Sequence, residues 1–328
     1  MSACLVERQR YDGNYASVAC VTGASGMIGR RVVSALLARG YNVRVLTRRL
    51  DPMSGVEIFR GGLSDQSVLD NFIRGADMVF HCAAQLNDEA QMYEVNVGGT
   101  QAVAEAARRN QIKYLCYLSS AGVVGATTER WIDESSPCRP RNKYEQTKFD
   151  AEACLRERIP GCSTVILRPT NVVDESHLGE LNLPVSGSAV SRLKVFIKGG
   201  ECAHIVYAED VARAALHFID RPALEVRIFF VSLDHDSCNT VAHLWAHYRN
   251  ALIGKDGRAA LVFPHLPAGA PHLLRKLQGQ FTNRGDLRYS SQRLIAEGFQ
   301  FSFSVGDTVR KIINDRRTVR FAATVGNS

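Results

Sequence analysis

The stretch VTGASGMIGRR, residues 21–31, sets three glycines at intervals of three, Gly23, Gly26 and Gly29, between two apolar segments of different period. Before it, SVACVTG (17–23) is continuous in apolar residues, as a strand buried on both faces is. After it, Ile28, Val32, Leu36 and Leu37 recur on one face of a helix that Gly40 stops. In a strand–turn–helix unit the first glycine permits the tight turn. The second lets the backbone approach a pyrophosphate, and the third lets the helix pack close to the sheet. The helix N-terminus then offers free N–H groups and the positive end of its dipole to phosphate.

The alternation continues. Strands are predicted at 42–48, 56–63, 77–84, 113–120 and 163–169. Helices are predicted at 65–76, opened by Asp65, at 89–111, broken at Gly98 and Gly99, and at 142–158. Continuous apolar strands alternating with amphipathic helices specify an α/β fold, a Rossmann-type doubly wound parallel sheet. Past Pro169 the rhythm breaks. Residues 171–204 hold Gly, Pro and Ser without clear period, followed by a helix at 209–219, a strand at 226–233 and a mixed tail. The expected organisation is a mobile tail at 1–15, a dinucleotide-binding domain at 16–170 to which pieces near 205–235 return, a smaller interleaved α/β substrate lobe at 171–316, and a mobile tail at 317–328.

With 328 residues, 45% of them hydrophobic, the chain can bury a full core as one large domain or two intimately joined ones. No run of ~18 apolar residues occurs, and the first residues lack the apolar core of a signal peptide. The nine cysteines are scattered singly, without CxxC pairs or metal-ligand spacing. These features read as a reduced, cytoplasmic chain with no metal and no membrane partner. The net charge of +7 suits either solubility or an anionic ligand. Basic residues are interspersed with acidic ones and no aromatic–basic stripe accompanies them, so nucleic acid is not an expected partner.

In NKYEQTK (142–148), Tyr144 and Lys148 fall one turn apart on one helical face. Alone they are an ordinary solvated pair. Here they follow a nucleotide-binding half and a strand ending in Ser119-Ser120. Other segments stand in order around them: TGASGMIG from Thr22, HCAA (81–84), NVGGT (96–100), YLSSAGVVG (117–125), LRPTNVVD (167–174), HIVYAEDVARA (204–214) and GF (298–299). On these segments the chain, over about residues 17–315, resembles the extended short-chain dehydrogenase/reductase family, in its nucleotide-sugar-modifying epimerase/dehydratase branch.

That resemblance implies hydride transfer at a carbinol or keto carbon. Tyr144 becomes the general acid/base, and Lys148 its pKa-lowering partner and a ligand of the cofactor ribose. Ser120 becomes the hydroxyl that stabilises the substrate oxygen, with Ser119 as the register alternative. Gly23, Ser25, Gly26, Met27, Ile28 and Gly29 become cofactor-binding, as do Leu63, Ala83 and Ala84. Asn96 braces the cofactor loop and His81 is a structural strand-end residue. Asp210 is either the family's second-lobe acid or a residue complementing its helix dipole. A homodimer through a four-helix interface is also implied.

The cofactor ribose is read at the end of the second strand. An acid there suits NAD, and a basic cluster suits the extra phosphate of NADP. The segment VRVLTRRL offers Thr47, Arg48 and Arg49 and no carboxylate, so NADP(H) is favoured over NAD(H), the alternative being a solvated basic turn. Gly61-Gly62-Leu63 lacks the acid that in the family often holds adenine, leaving Asp65 as a substitute. SSAGVVG carries no carboxylate, against a dehydratase, and Val124 replaces a tyrosine frequent in epimerases. The first expectation is a nucleotide-linked sugar, epimerised or reduced, with Asn171 and Arg192 binding substrate. Arg168, Lys194 and Lys198 either meet its diphosphate or are solvated. Phe196 and Tyr207 either face a nucleobase or are core. The alternatives are reduction of a small non-sugar ketone and, behind it, a non-catalytic NADP sensor.

Overall fold

The computed structural model describes residues 17–48, 53–178, 189–252, 261–279 and 282–325. Strand β1 (Val18–Thr22) leads through the glycine turn into α1 (Gly29–Ala38). Then follow β2 (Asn42–Thr47), β3 (Val56–Arg60), α2 (Gln66–Ile73), β4 (Met78–His81), α3 (Glu89–Tyr93), α4 (Gly99–Arg109), β5 (Tyr114–Leu118), β6 (Trp131–Ile132), α5 (Lys143–Arg156) and β7 (Ser163–Pro169). The second half supplies β8 (Asn171–Val173), α6 (Ala189–Lys198), β9 (Ile205–Tyr207), α7 (Ala208–His217) and β10 (Val226–Val231). It ends with α8 (Val241–Leu252), α9 (Gly269–Leu277), β11 (Arg288–Tyr289), α10 (Gln292–Ala296) and α11 (Val305–Val325).

Seven strands form one parallel sheet in the order β3-β2-β1-β4-β5-β7-β10. Successive side chains of a strand point to opposite faces, and both faces are covered. Val21, Val45, Phe80 and Leu167 pack with Val32, Leu36, Val211 and Phe218 of the α1/α7 layer. Their neighbours Cys20, Leu46, Val79 and Ile166 pack with Leu69, Phe72, Val103 and Leu155 of the α2/α4/α5 layer. Each such side chain contributes about 1.5–3 kcal/mol on burial, so the alternation is strongly enforced.

The strands β2 to β5 stop short of the predicted C-terminal ends. The apolar residues beyond them, Leu63, Ala83 and Ala84 among them, form cavity wall instead of ladder. The break in the 89–111 helix also lies earlier than expected. A π-helical turn over Glu94–Gly98 separates α3 from α4, and α4 opens at Gly99. A Cβ at Gly99 would stand 2.6 Å from Leu63 Cδ1, so glycine there makes room for that wall residue.

The second lobe contains two short parallel pairs, β8–β9 and β6–β11. Val173, Ile205 and Tyr207 pack with Leu244, Val309 and Ile312 of α8 and α11. Asp210, in the first turn of α7, accepts from the Ser302 and Phe303 N–H groups at 2.9 and 3.2 Å and so ties the approach to α11 onto α7. The α11 helix continues to Val325, past the boundary expected at 316, whereas the tail expected at 1–15 lies outside the described residues. Among the described residues no helix is long and apolar enough to cross a membrane.

Candidate active site

A cavity of about 870 Å³ opens at the C-terminal ends of β1, β2, β4, β5 and β7. It straddles the point where strand order reverses, between β1 and β4, the usual ligand crevice of an open α/β sheet. Ser25 to Gly29 line it. Gly23 turns at φ +66°, and a Cβ there would sit 2.6 Å from Ala83 N. A Cβ at Gly29 would overlap the Gly23 carbonyl. No side chain caps α1, no acid occupies its first turn, and Gly26 to Gly29 at its start line the cavity. This uncapped cradle, in which Gly23 and Gly29 leave no room for a Cβ, fits the diphosphate of a dinucleotide.

The cradle is keyed to the next strand by a directed chain of hydrogen bonds. Thr100 Oγ1 donates to the Asn96 carbonyl at 2.6 Å, so toward His81 Nε2, 3.0 Å away, it must accept. His81 Nδ1 then accepts from Thr22 Oγ1 at 2.7 Å, and Thr22 accepts from Ala83 N–H at 3.3 Å. Burial, with Lys148 nearby, pushes the His81 pKa down to about 3, so the imidazole stays neutral. Asn96 does not line the cavity. Its side chain accepts from Gln85 N–H at 2.7 Å and donates to the Gln85 carbonyl and to Thr147 Oγ1, bracing the 82–85 loop against α5.

Asn142 caps α5 and Glu145 returns the contact to Arg141 N–H, which fixes where Tyr144 and Lys148 emerge. Ser120, Tyr144 and Lys148 converge on the cavity. Burial pushes the Tyr144 phenol up to about 12, opposed by a hydrogen bond from Ser120. Ser120 Oγ accepts from Gly122 N–H at 3.1 Å. Ser119, although at the cavity wall, donates to Glu152 Oε1 at 2.6 Å, so the two adjacent serines are committed to different partners.

Lys148 departs from expectation. Its ammonium donates to the Leu118 carbonyl and lies 4.3 Å from the centroid of the Tyr117 ring. Burial lowers its pKa to about 7, partly offset by Glu152, and it is not among the groups that shift Tyr144. Desolvation, not a charge pair between the two, governs both groups.

Other expected contacts are redistributed. Arg48 lines the cavity beside Gly62, while Arg49 lies outside the described residues. Leu63, Ala83, Ala84 and Asn171 line it too. Asp65 does not; it caps α2 through Val68 N–H. Arg168 is buried against Glu152, and Tyr207 is core, packed on Phe303 at 4.7 Å between ring centroids. Arg192, Lys194 and Lys198 stand exposed on α6 and do not line the cavity. The spacing of motifs passed over Glu152, although its i+4 relation to Lys148 is readable, and passed over Glu94 and His177 of the cavity wall, which carry no local signal.

The model of the NAD dependent epimerase/dehydratase family matches residues 19–230. A sterol demethylase protein B of Methylococcus capsulatus is 28% identical over 297 residues, 85% of this chain and 88% of that protein. A 4-hydroxy-2-methyl-3-oxo-4-farnesyl-3,4-dihydroquinoline-1-oxide ketoreductase of Stigmatella aurantiaca is 35% identical over 161 residues, 45% of this chain and 48% of that protein. Among solved structures, Bordetella bronchiseptica WbmH in complex with NAD+ superposes with a TM-score of 0.69 at 20% identity, covering 93% of this chain and 99% of that one. The Thermotoga maritima UDP-glucose 4-epimerase with UDP-glucose gives 0.67 at 18% identity, covering 92% and 99%. Sheet order, glycine cradle and family match agree, and the chain belongs to the NAD dependent epimerase/dehydratase family.

Proposed function

We propose that the chain is an NADP(H)-preferring oxidoreductase that reduces a lipophilic ketone to its alcohol, or runs that reaction in reverse. The observation that carries this reading is the meeting of Ser120, Tyr144 and Lys148 in one cavity with the uncapped start of α1. A bound nicotinamide dinucleotide supplies the hydride donor or acceptor. Gly23 to Gly29 would hold its diphosphate, and Arg48, with no carboxylate among the described residues at the end of β2, would meet a 2′-phosphate. Tyr144, held near 12, is a proton donor toward a developing alkoxide, which is more basic still. Ser120 uses its lone pair on Gly122 N–H and keeps its O–H for the substrate oxygen or for Tyr144. Burial lowers the Lys148 pKa to about 7, and an anionic cofactor beside it would raise that value and favour the ammonium.

The substrate class rests on charge. Among the described residues the only Lys or Arg side chains lining the cavity are Arg48 and Lys148, and the reading assigns both to the cofactor. Nothing cationic among them remains for the diphosphate of a nucleotide-sugar, the first expectation from the family. The sterol and farnesyl-quinoline names of the relatives above point the same way. The test is NADPH consumption with ketosteroids and isoprenoid ketones set against UDP- and dTDP-keto-sugars. Turnover of the sugars alone would overturn the substrate class, and turnover with Tyr144→Phe undiminished would overturn the acid/base role.

A further inference from the structure

Two helices of the second lobe turn apolar stripes outward. On α6 the buried stripe is Ser191 and Val195, while Val190, Leu193, Phe196 and Ile197 lie on the open side. On α9 only Pro271 is buried, and Leu273, Leu274 and Leu277 are exposed, Leu277 to 77%. The helices are neighbours. Leu266 N–H, just before α9, donates to the Phe196 carbonyl at 2.8 Å, and Arg275 of α9 pairs with Glu201 just after α6. A Cβ on Gly200 would stand 2.8 Å from Ala268 N, so the segment is pressed close to the end of α6.

The charged residues on the two helices are all basic, and of these Arg275 is paired with Glu201. Helix α6 carries Arg192, Lys194 and Lys198, helix α9 carries Arg275 and Lys276, and neither contains a carboxylate. Arg192, Lys194, Lys198 and Lys276 have no ion-pair partner among the described residues. An apolar stripe flanked by cations without ion-pair partners among the described residues is the composition of a helix that lies in the interface of an anionic bilayer. We infer that the α6/α9 surface docks the protein on an anionic phospholipid membrane, contrary to the expectation that no membrane is a partner. This goes beyond the proposed reaction and does not depend on it.

Flotation of the full chain with phosphatidylcholine vesicles, with and without phosphatidylglycerol, tests the inference. Binding is expected to the anionic vesicles alone and to fall as salt rises. Lys194→Glu with Lys198→Glu should lower the partition roughly tenfold or more. Leu274→Glu with Leu277→Glu should do likewise, with the thermal transition unchanged because both side chains are exposed. Equal binding to neutral and anionic vesicles, no binding, or parent-like binding by both variants would overturn it. So would light scattering that finds a dimer which Leu274→Glu/Leu277→Glu splits, since a second copy would then be the occupant. A protein that binds vesicles yet reduces no ketone loses only the proposed reaction; one that reduces ketones but never binds vesicles loses only this inference.

Discussion

Arg168 of β7 holds Glu152 through two hydrogen bonds, Nε to Oε1 at 2.9 Å and Nη2 to Oε2 at 2.7 Å; both side chains are buried, and Glu152 lies one helical turn beyond Lys148 on α5. Removing one partner strands the charge of the other. Glu152→Gln should therefore cost about 3–5 kcal/mol in urea denaturation, whereas Glu152→Gln with Arg168→Met should recover much of that loss. Equal losses in the single and double variants would show that the pair is not coupled.

The two serines at the end of β5 should separate in experiment. Ser119→Ala removes a hydrogen bond to a buried carboxylate, so stability should fall by about 1.5–3 kcal/mol while turnover stays within a few-fold of the parent. Ser120→Ala should leave stability near the parent and lower kcat about 10²–10³-fold. Reversed phenotypes would reassign the register.

Lys148 gives a pH signature. Its native pKa of about 7 lies below its ordinary 10.5, so between those values the unfolded chain binds a proton the native state has shed. Stability from this residue accordingly rises with pH across that window and is lowest below pH 7. Urea midpoints taken from pH 7 to 9 should show the rise in the parent, and Lys148→Met should flatten it.

The same group should report cofactor binding. An anion brought near Lys148 raises its pKa, so NADPH binding at pH 7.5 should take up a proton. Calorimetric titrations in two buffers of different ionisation enthalpy measure that uptake. Identical heats in both buffers for the parent would sink the assignment, and Lys148→Met should lose the difference.

Gly29→Ala puts a Cβ onto the Gly23 carbonyl, so the turn must open. The expected result is a loss of NADPH affinity of about tenfold or more, read by fluorescence titration, with the remaining sheet intact by circular dichroism.

The sheet was legible because period and length leave little choice. Cys20 and Val21, adjacent in β1, are each at home in a different apolar layer. Strand ends were not legible, since Leu63 and Ala83 are equally apolar whether they extend a ladder or line a cavity. In the site, the glycines between strand and helix, and the Tyr144–Lys148 pair in the company of the other motifs, pointed to the cavity they line. Arg168 and Tyr207 did not reveal themselves, because a single arginine or tyrosine at a strand end reads alike whether it faces a ligand or a buried partner. Only the fold brings Glu152 to Arg168, or Phe303 to Tyr207.

Strand β10 reaches its place beside β7 only after the chain has built β8, α6, β9 and α7. Every residue of β7 is buried, and β10 pairs with its outer side from Thr164 to Pro169. A fragment cut near residue 170 would carry every nucleotide-binding motif, yet it would present β7 to solvent as an edge with unpaired backbone groups, the geometry that recruits another chain. The nucleotide half is thus completed only by a strand, Val226–Val231, from the second half of the chain. It cannot be excised, swapped onto another lobe or expressed as a soluble module unless the later strand travels with it.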